Sequence, residues 1–129
     1  MSAEISWEDS ELGNAIDSGD TNRVRYLLRN GASFDIRNWE GYTPLHSAVA
    51  IGAQDIAKYL LDNGIDVNSR NRAGNTPLFI AVHYGDMAMV KLLCAYGADV
   101  NIENNKGYTV IYIANLYGQW SILNYLLNH

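Results

Sequence analysis

The side chains best able to act as nucleophile, base or metal ligand are one thiol, Cys94, three imidazoles, His46, His83 and His129, and fourteen Asp and Glu. Their spacing fits no common catalytic arrangement. A phosphate loop needs Gly-x-x-x-x-Gly-Lys, a zinc hydrolase His-Glu-x-x-His on one helix face, and an esterase elbow Gly-x-Ser-x-Gly, and the chain carries none of the three. Binding chemistry is better supplied. Three Trp and nine Tyr join the arginines Arg37, Arg70 and Arg72, residue types that combine large contact area with a polar handle and dominate binding hot spots. Recognition, not catalysis, is the chemistry these residues offer.

The elements that position them must fit in 129 residues, which suits one domain. With 48% hydrophobic and 18% charged residues the chain can build a packed core. It has no apolar run long enough to span a membrane, and its first nine residues, Met-Ser-Ala-Glu-Ile-Ser-Trp-Glu-Asp, lack the basic-then-apolar pattern of a secretory signal. The lone cysteine excludes an internal disulfide and favours a reducing compartment, cytoplasmic with the nucleus also open. Nine Lys and Arg against fourteen Asp and Glu, for a net charge of −5, argue against a nucleic-acid partner, because phosphates need a basic face. No membrane partner is expected either.

Organisation emerges when the sequence is slid along itself. At an offset of 33, Gly41, Gly74 and Gly107 align, followed by Thr43, Thr76 and Thr109, then Leu45, Leu78 and Ile111. Ala15, Ala48, Ala81 and Ala114 share a column, as do Gly19, Gly52, Gly85 and Gly118, and Leu27, Leu60, Leu93 and Leu126. Gly31, Gly64 and Gly97 close the pattern. The repeats run 5–37, 38–70, 71–103 and a shorter 104–129, forming one domain over 1–129.

One repeat explains the spacing. Thr43 is placed to cap a helix with Pro44 at its first position, where a missing N–H costs nothing. That helix is expected to run to about Ile51 and stop at Gly52 in the left-handed conformation. A second helix is expected over roughly 55–62, ending at Gly64, with Ile56, Leu60 and Leu61 on one face. Helices this short are marginal alone, so stacking against neighbouring repeats must supply the burial. The expected fold is an all-α solenoid.

Gly-Tyr-Thr-Pro-Leu-His-Ser-Ala (41–48) and Gly-Asn-Thr-Pro-Leu-Phe-Ile-Ala (74–81) resemble the ankyrin repeat motif, as do Leu-Leu-Asp-Asn-Gly-Ile-Asp-Val-Asn (60–68) and Leu-Cys-Ala-Tyr-Gly-Ala-Asp-Val-Asn (93–101). The resemblance covers nearly the whole chain. It implies an ankyrin-repeat solenoid of stacked helix-turn-helix units whose β-hairpin fingers project at a right angle and enclose a concave groove. It also implies a structural role for His46, bridging adjacent loops, and makes the hairpin asparagines Asn68 and Asn101 candidates for enzymatic hydroxylation. The end repeats depart from the motif. Ser10-Glu11-Leu12-Gly13 stands where Thr-Pro-Leu-His would, and Val110 replaces the proline of the last, so both read as caps. Trp120, Tyr125 and Leu126 are apolar for a final outer surface, so either they pack inward or the natural chain continues.

Column position also disposes of the reactive groups. Cys94 shares a column with Leu28, Leu61 and Leu127, where a buried hydrophobe is expected. His46, His83 and His129 occupy three different columns, so neither a metal site nor another cofactor is expected. The chain reads as a non-enzyme.

The columns that vary are the ones facing solvent: the finger tips and the end of each first helix. They hold Trp7, Asp9, Asp17, Ser18 and Arg37 in the first repeat and Trp39, Glu40, Tyr42, Ala50, Ile51 and Arg70 in the second. The third has Arg72, Asn75, His83, Tyr84 and Glu103, and the fourth Asn105, Lys106, Tyr108, Leu116 and Tyr117. From these, Trp39, Tyr42, Ile51, Arg70, Arg72, His83, Tyr84, Tyr108, Leu116 and Tyr117 are the candidate partner-binding residues. Tyr42 and Tyr108 could equally stiffen neighbouring fingers. Mixed charge among the fingers suits a protein partner better than a phosphate track. The function expected is a monomeric protein-interaction module, an adaptor, scaffold or stoichiometric inhibitor that binds through its concave face. The alternative is the recognition segment of a larger enzyme, channel or effector.

Overall fold

The computed structural model describes residues 6–7 and 10–128, and Asp9 and His129 of the sequence reading lie outside them. Eight helices occur among the described residues, two per repeat: α1 Glu11–Asp17, α2 Thr21–Arg29, α3 Pro44–Ala50, α4 Gln54–Asp62, α5 Pro77–His83, α6 Met87–Ala95, α7 Val110–Leu116 and α8 Trp120–Leu127. Each starts and stops for a local reason. Ser10, Asp20, Thr43, Asp86 and Thr109 cap α1, α2, α3, α6 and α7 by accepting a main-chain N–H in the first turn. The stops repeat as closely. After α3, Gly52 N–H donates to Val49 O at 3.0 Å and Ala53 N–H to Ala48 O at 2.9 Å, the paired bonds of a glycine-terminated helix, with Gly52 at φ 72°. A side chain at that φ would be strained, which accounts for glycine at the equivalent places.

The chain divides into two compact units, Met1–Ile65 and Asp66–His129. In the first, α1 packs on α2 and α3, and α4 on α2 and α3. Leu12, Ile16, Val24 and Leu27 form its core with Leu45, Val49, Ile56 and Leu60, all buried. In the second unit α5 packs on α6 and α7, and α7 on α8, around Leu78, Val82, Met89, Val90, Leu93, Val110, Ile122 and Leu126. Each such side chain removed from water contributes about 1.5–3 kcal/mol, which the seven- to nine-residue helices lack by themselves.

Trp7 corrects the sequence reading, which placed it facing solvent. It is buried, its carbonyl and indole pressed so close to Gly13 that a Cβ there would lie 2.7 Å from the carbonyl oxygen. The indole Nε1–H donates to Asp17 Oδ2 at 2.8 Å, so a ring that would be a binding group elsewhere closes the first helix pair here.

The expected hairpin fingers form as turns, with no strand among the described residues. Each is closed by a main-chain bond, Asn38 N–H to Tyr42 O at 3.0 Å, Asn71 N–H to Asn75 O at 2.9 Å, and Asn104 N–H to Tyr108 O at 2.9 Å, with a second inside it from the N–H of Gly41, Gly74 or Gly107 to the O of Asn38, Asn71 or Asn104 at 2.9 Å. The remaining donors are satisfied by side chains rather than a ladder. Asn38 Oδ1 accepts from the N–H groups of Glu40 and Tyr42, Asn71 Oδ1 from those of Ala73 and Asn75, and Asn104 Oδ1 from those of Lys106 and Tyr108.

Candidate protein-interaction surface

In the first unit the finger tip 38–42 holds Trp39 outward, exposed. Tyr42, at the base of the same turn, is half-buried with its ring stacked on His46 at 5.4 Å between centroids. His46 is fully buried and completes the cap of α3. Its Nδ1 accepts the Thr43 N–H at 3.2 Å, while its own N–H donates to Thr43 Oγ1 at 3.3 Å. Imidazole and threonine thus satisfy two helix-start donors at once, and His46 is structural. Ile51 follows α3 as its C-cap residue and is exposed.

In the second unit three aromatic rings converge. His83 ends α5 and Tyr84 follows as its C-cap, with ring centroids 5.1 Å apart and nearly perpendicular. Tyr117, the C-cap residue of α7, meets the same imidazole edge-on at 6.1 Å, and Leu116 precedes it at the helix end. All four are exposed. The main chain closes the helix at both C-cap tyrosines: the Tyr84 N–H returns to Ile80 O and the Tyr117 N–H to Ile113 O. The first repeat fills that column with Ser18, whose N–H makes the equivalent bond to Asn14 O and whose hydroxyl also donates to Ala15 O at 3.1 Å.

The other expected residues divide by role. Tyr108 is half-buried and stacks on Tyr112 at 4.6 Å, so both finger tyrosines, Tyr42 and Tyr108, stiffen the base of their own repeat. Arg70 is committed to the fold. Its Nε donates to Gly74 O at 3.3 Å and its Nη2 to Glu103 O at 2.8 Å, tying successive fingers together. Gly74 has no room for a side chain beside Arg70 and Asn105. Arg72 is exposed and lends the fold its carbonyl, which accepts from Asn105 Nδ2 at 2.7 Å. Asn68 also bridges fingers, accepting the Asp99 N–H at 2.9 Å, whereas Asn101 is exposed.

Reactive groups are quiet. Cys94 is buried in α6, and burial pushes its thiol pKa up, away from the thiolate a nucleophile requires. Among the described residues no three His, Cys, Asp or Glu gather as a metal would need, and no helix is long and apolar enough to cross a membrane. The asparagines Asn38, Asn71 and Asn104 were missed as site-forming residues, although they share a column at the 33-residue offset that would have exposed them.

Paired short helices joined by side-chain-braced turns, with exposed aromatic rings at helix ends, define a helical-repeat interaction module. Residues 6–71 match the family model of ankyrin repeats in its three-copy form, and residues 60–114 match the many-copy form. The chain belongs to the ankyrin-repeat family, and its fold is an all-α ankyrin-repeat solenoid. Proteins of this family are generally protein–protein interaction modules and typically non-catalytic. No curated protein matches the chain.

Proposed function

We propose that this chain binds a protein partner through the concave face of its repeats, as an adaptor, scaffold or stoichiometric inhibitor without chemistry of its own. Trp39, Ile51, Arg72, His83, Tyr84, Leu116 and Tyr117 supply the contact side chains, and Arg70, Tyr42 and Tyr108 hold the fingers that present them. The observation that carries this reading is the group His83, Tyr84 and Tyr117: two exposed tyrosine rings that lie 5.1 and 6.1 Å from the exposed His83 imidazole, where α5 and α7 end. Exposed aromatic groups of that kind cost solubility unless a partner covers them. A preformed surface also loses little conformational entropy on binding.

The test replaces Tyr84 and Tyr117 by Ser, the residue the first repeat uses at Ser18, together with Trp39→Ala. Circular dichroism and cooperative melting establish that the variant folds. Quantitative mass spectrometry of proteins captured from source-cell lysate by wild type and variant then decides. A protein enriched on wild type and lost from the folded variant supports the reading, and equal capture by both removes it.

A further inference from the structure

Residues 66–129 carry none of the protein's net charge. Carboxylates outnumber cations ten to five before Asp66 and match them four to four from there on, so the −5 belongs to the first unit alone. The second unit uses its two signs differently. Asp66 Oδ1 accepts the Asn68 N–H and Asp99 Oδ1 the Asn101 N–H, both at 2.9 Å, and Asp86 Oδ1 caps α6 through the Met89 N–H at 3.1 Å. The fourth carboxylate, Glu103, lies alongside Gly107, with Oε1 3.7 Å from where a Cβ would stand. Of the cations, Lys91 sits 5.8 Å over the Tyr125 ring and Arg70 is held by the carbonyls of Gly74 and Glu103.

The other two cations stand on finger tips. Arg72 and Lys106 are exposed, and among the described residues neither has a carboxylate within ion-pair distance. Their tips are joined: Asn105, next to Lys106, donates its N–H to Ala73 O at 3.0 Å and its Nδ2–H to Arg72 O at 2.7 Å. Fingers 70–75 and 103–108 thus hold three cations against one carboxylate, on a protein that is acidic as a whole. The helices that follow them, α5 and α7, end in the exposed rings of His83, Tyr84 and Tyr117. We infer, building on the protein-binding reading of those rings, that the second unit takes an acidic segment of the partner. Its carboxylates meet Arg72 and Lys106, and an apolar or aromatic side chain packs on the rings.

Charge selects that occupant. A basic segment laid over these fingers would set its cations against Arg72 and Lys106, while the carboxylates of the unit already serve its turns, its α6 cap and Gly107. A wholly apolar segment would cover the rings but strip water from a guanidinium and an ammonium for no return. A nucleic acid asks for a continuous basic track, which four cations matched by four carboxylates do not supply. An acidic segment satisfies both tips, since the Arg72 fork accepts a carboxylate bidentately and Lys106 acts as a point charge. The spacing follows from the fold. The seven residues of α5 span about 10 Å, and an extended chain advances roughly 3.3 Å per residue, so carboxylate and apolar anchor stand at least about three positions apart. Because both cations are exposed, they govern approach and salt dependence more than final affinity.

Selection of phage-displayed random peptides on the 129-residue chain tests this. Peptides retained by wild type should be enriched in Asp and Glu and carry a large apolar or aromatic residue, and the tightest of them, made synthetically, is the probe for titration. Arg72→Glu combined with Lys106→Glu should weaken its binding at least about tenfold, and raising salt from about 50 to 500 mM should weaken it several-fold for wild type. The fold uses the main chain of Arg72 and Lys106, so the reversed variant should melt with wild type. Selected peptides that are neutral or basic overturn the inference, as does a folded reversed variant that binds the acidic probe unchanged, or a wild type that retains no peptide. Tyr84→Ser combined with Tyr117→Ser separates this from the reading it rests on. Binding lost there but indifferent to charge reversal leaves a protein-binding ring surface without an acidic partner, whereas equal binding by the folded tyrosine variant removes both. Should the reversed variant melt early, Arg72→Gln with Lys106→Gln must still weaken binding at least about threefold.

Discussion

The guanidinium of Arg70 donates through Nη2 to the main-chain oxygen of Glu103 at 2.8 Å, one repeat further along the chain. The same group holds Gly74 O through Nε, so a single side chain secures its own turn and the next. Arg70→Ala is therefore expected to lower stability by about 1 kcal/mol, the scale of a charge-assisted hydrogen bond discounted for exposure. Arg70→Lys, without the planar fork, should recover only part of it. Arg72→Ala should lie within about 0.5 kcal/mol of wild type, since the fold uses only its carbonyl. Urea titration of the three variants reads the difference, and equal losses at Arg70 and Arg72 would show that the finger-to-finger bond is idle.

The helix starts offer an internal control. Thr43 and His46 form a reciprocal cap, whereas Thr76 Oγ1, in the equivalent column, is buried without a hydrogen-bond partner. Thr43→Val should cost about 1–2 kcal/mol. Thr76→Val should be neutral or stabilising, because it removes a hydroxyl whose desolvation is uncompensated. Phe79→His would place an imidazole where His46 stands relative to Thr43. Its capping gain is set against lost burial of the phenyl ring, so the pair Thr76→Val and Thr43→Val is the cleaner comparison. Thermal melts in which both threonine variants lose the same stability would refute the assignment.

Cys94 makes a pH prediction. Burial raises its pKa, so the folded protein keeps the neutral thiol to higher pH than the unfolded chain does. The sign follows from linkage: the contribution is fully present below the unfolded value, near 8.5, and is lost as pH rises from there through the folded value. Cys94→Leu, the residue found in that column at Leu28, Leu61 and Leu127, should flatten this part of the alkaline decline. The native thiol should react with a disulfide reagent at least about 100-fold more slowly than in denaturant. Immediate stoichiometric labelling of the native protein would contradict the burial.

Much of this was legible because the chain states its design four times. Comparison of columns separated core positions such as Leu60 and Leu93 from surface positions such as Ile51, Tyr84 and Tyr117, and the structure gives them those environments. Trp7 was misplaced for the complementary reason. It belongs to an end repeat, its neighbours in register are Glu40, Ala73 and Lys106, and no column could show that it turns inward against Gly13. Arg70 was read as a surface charge because its acceptors, two main-chain carbonyls, have no signature in sequence. The fingers were expected to pair as hairpins. Their backbone makes too few reciprocal bonds for strands, and asparagine side chains take the remaining donors.

Those asparagines support the sharpest mutational test. Asn71 and Asn104 each accept two main-chain N–H groups through Oδ1, but only Asn104 also donates, from Nδ2 to Asn75 Oδ1 at 3.0 Å. Replacing either by Ala strips both acceptor bonds and should cost about 1–2 kcal/mol. Replacement by Asp separates them. A carboxylate can still accept the two N–H groups, so Asn71→Asp should retain most of the stability. At position 104 the same change loses the donor and sets a carboxylate against an amide oxygen, so Asn104→Asp should be the more damaging by roughly 1 kcal/mol. Lower pH would narrow that gap, because a protonated carboxyl regains one donor and can return the bond to Asn75. Denaturant titrations of the two Asp variants at neutral pH and near pH 4 would show the gap and its closure. Equal stabilities at neutral pH would mean that the link from Asn104 to Asn75 contributes nothing, leaving Arg70 and Asn105 to hold these two fingers together.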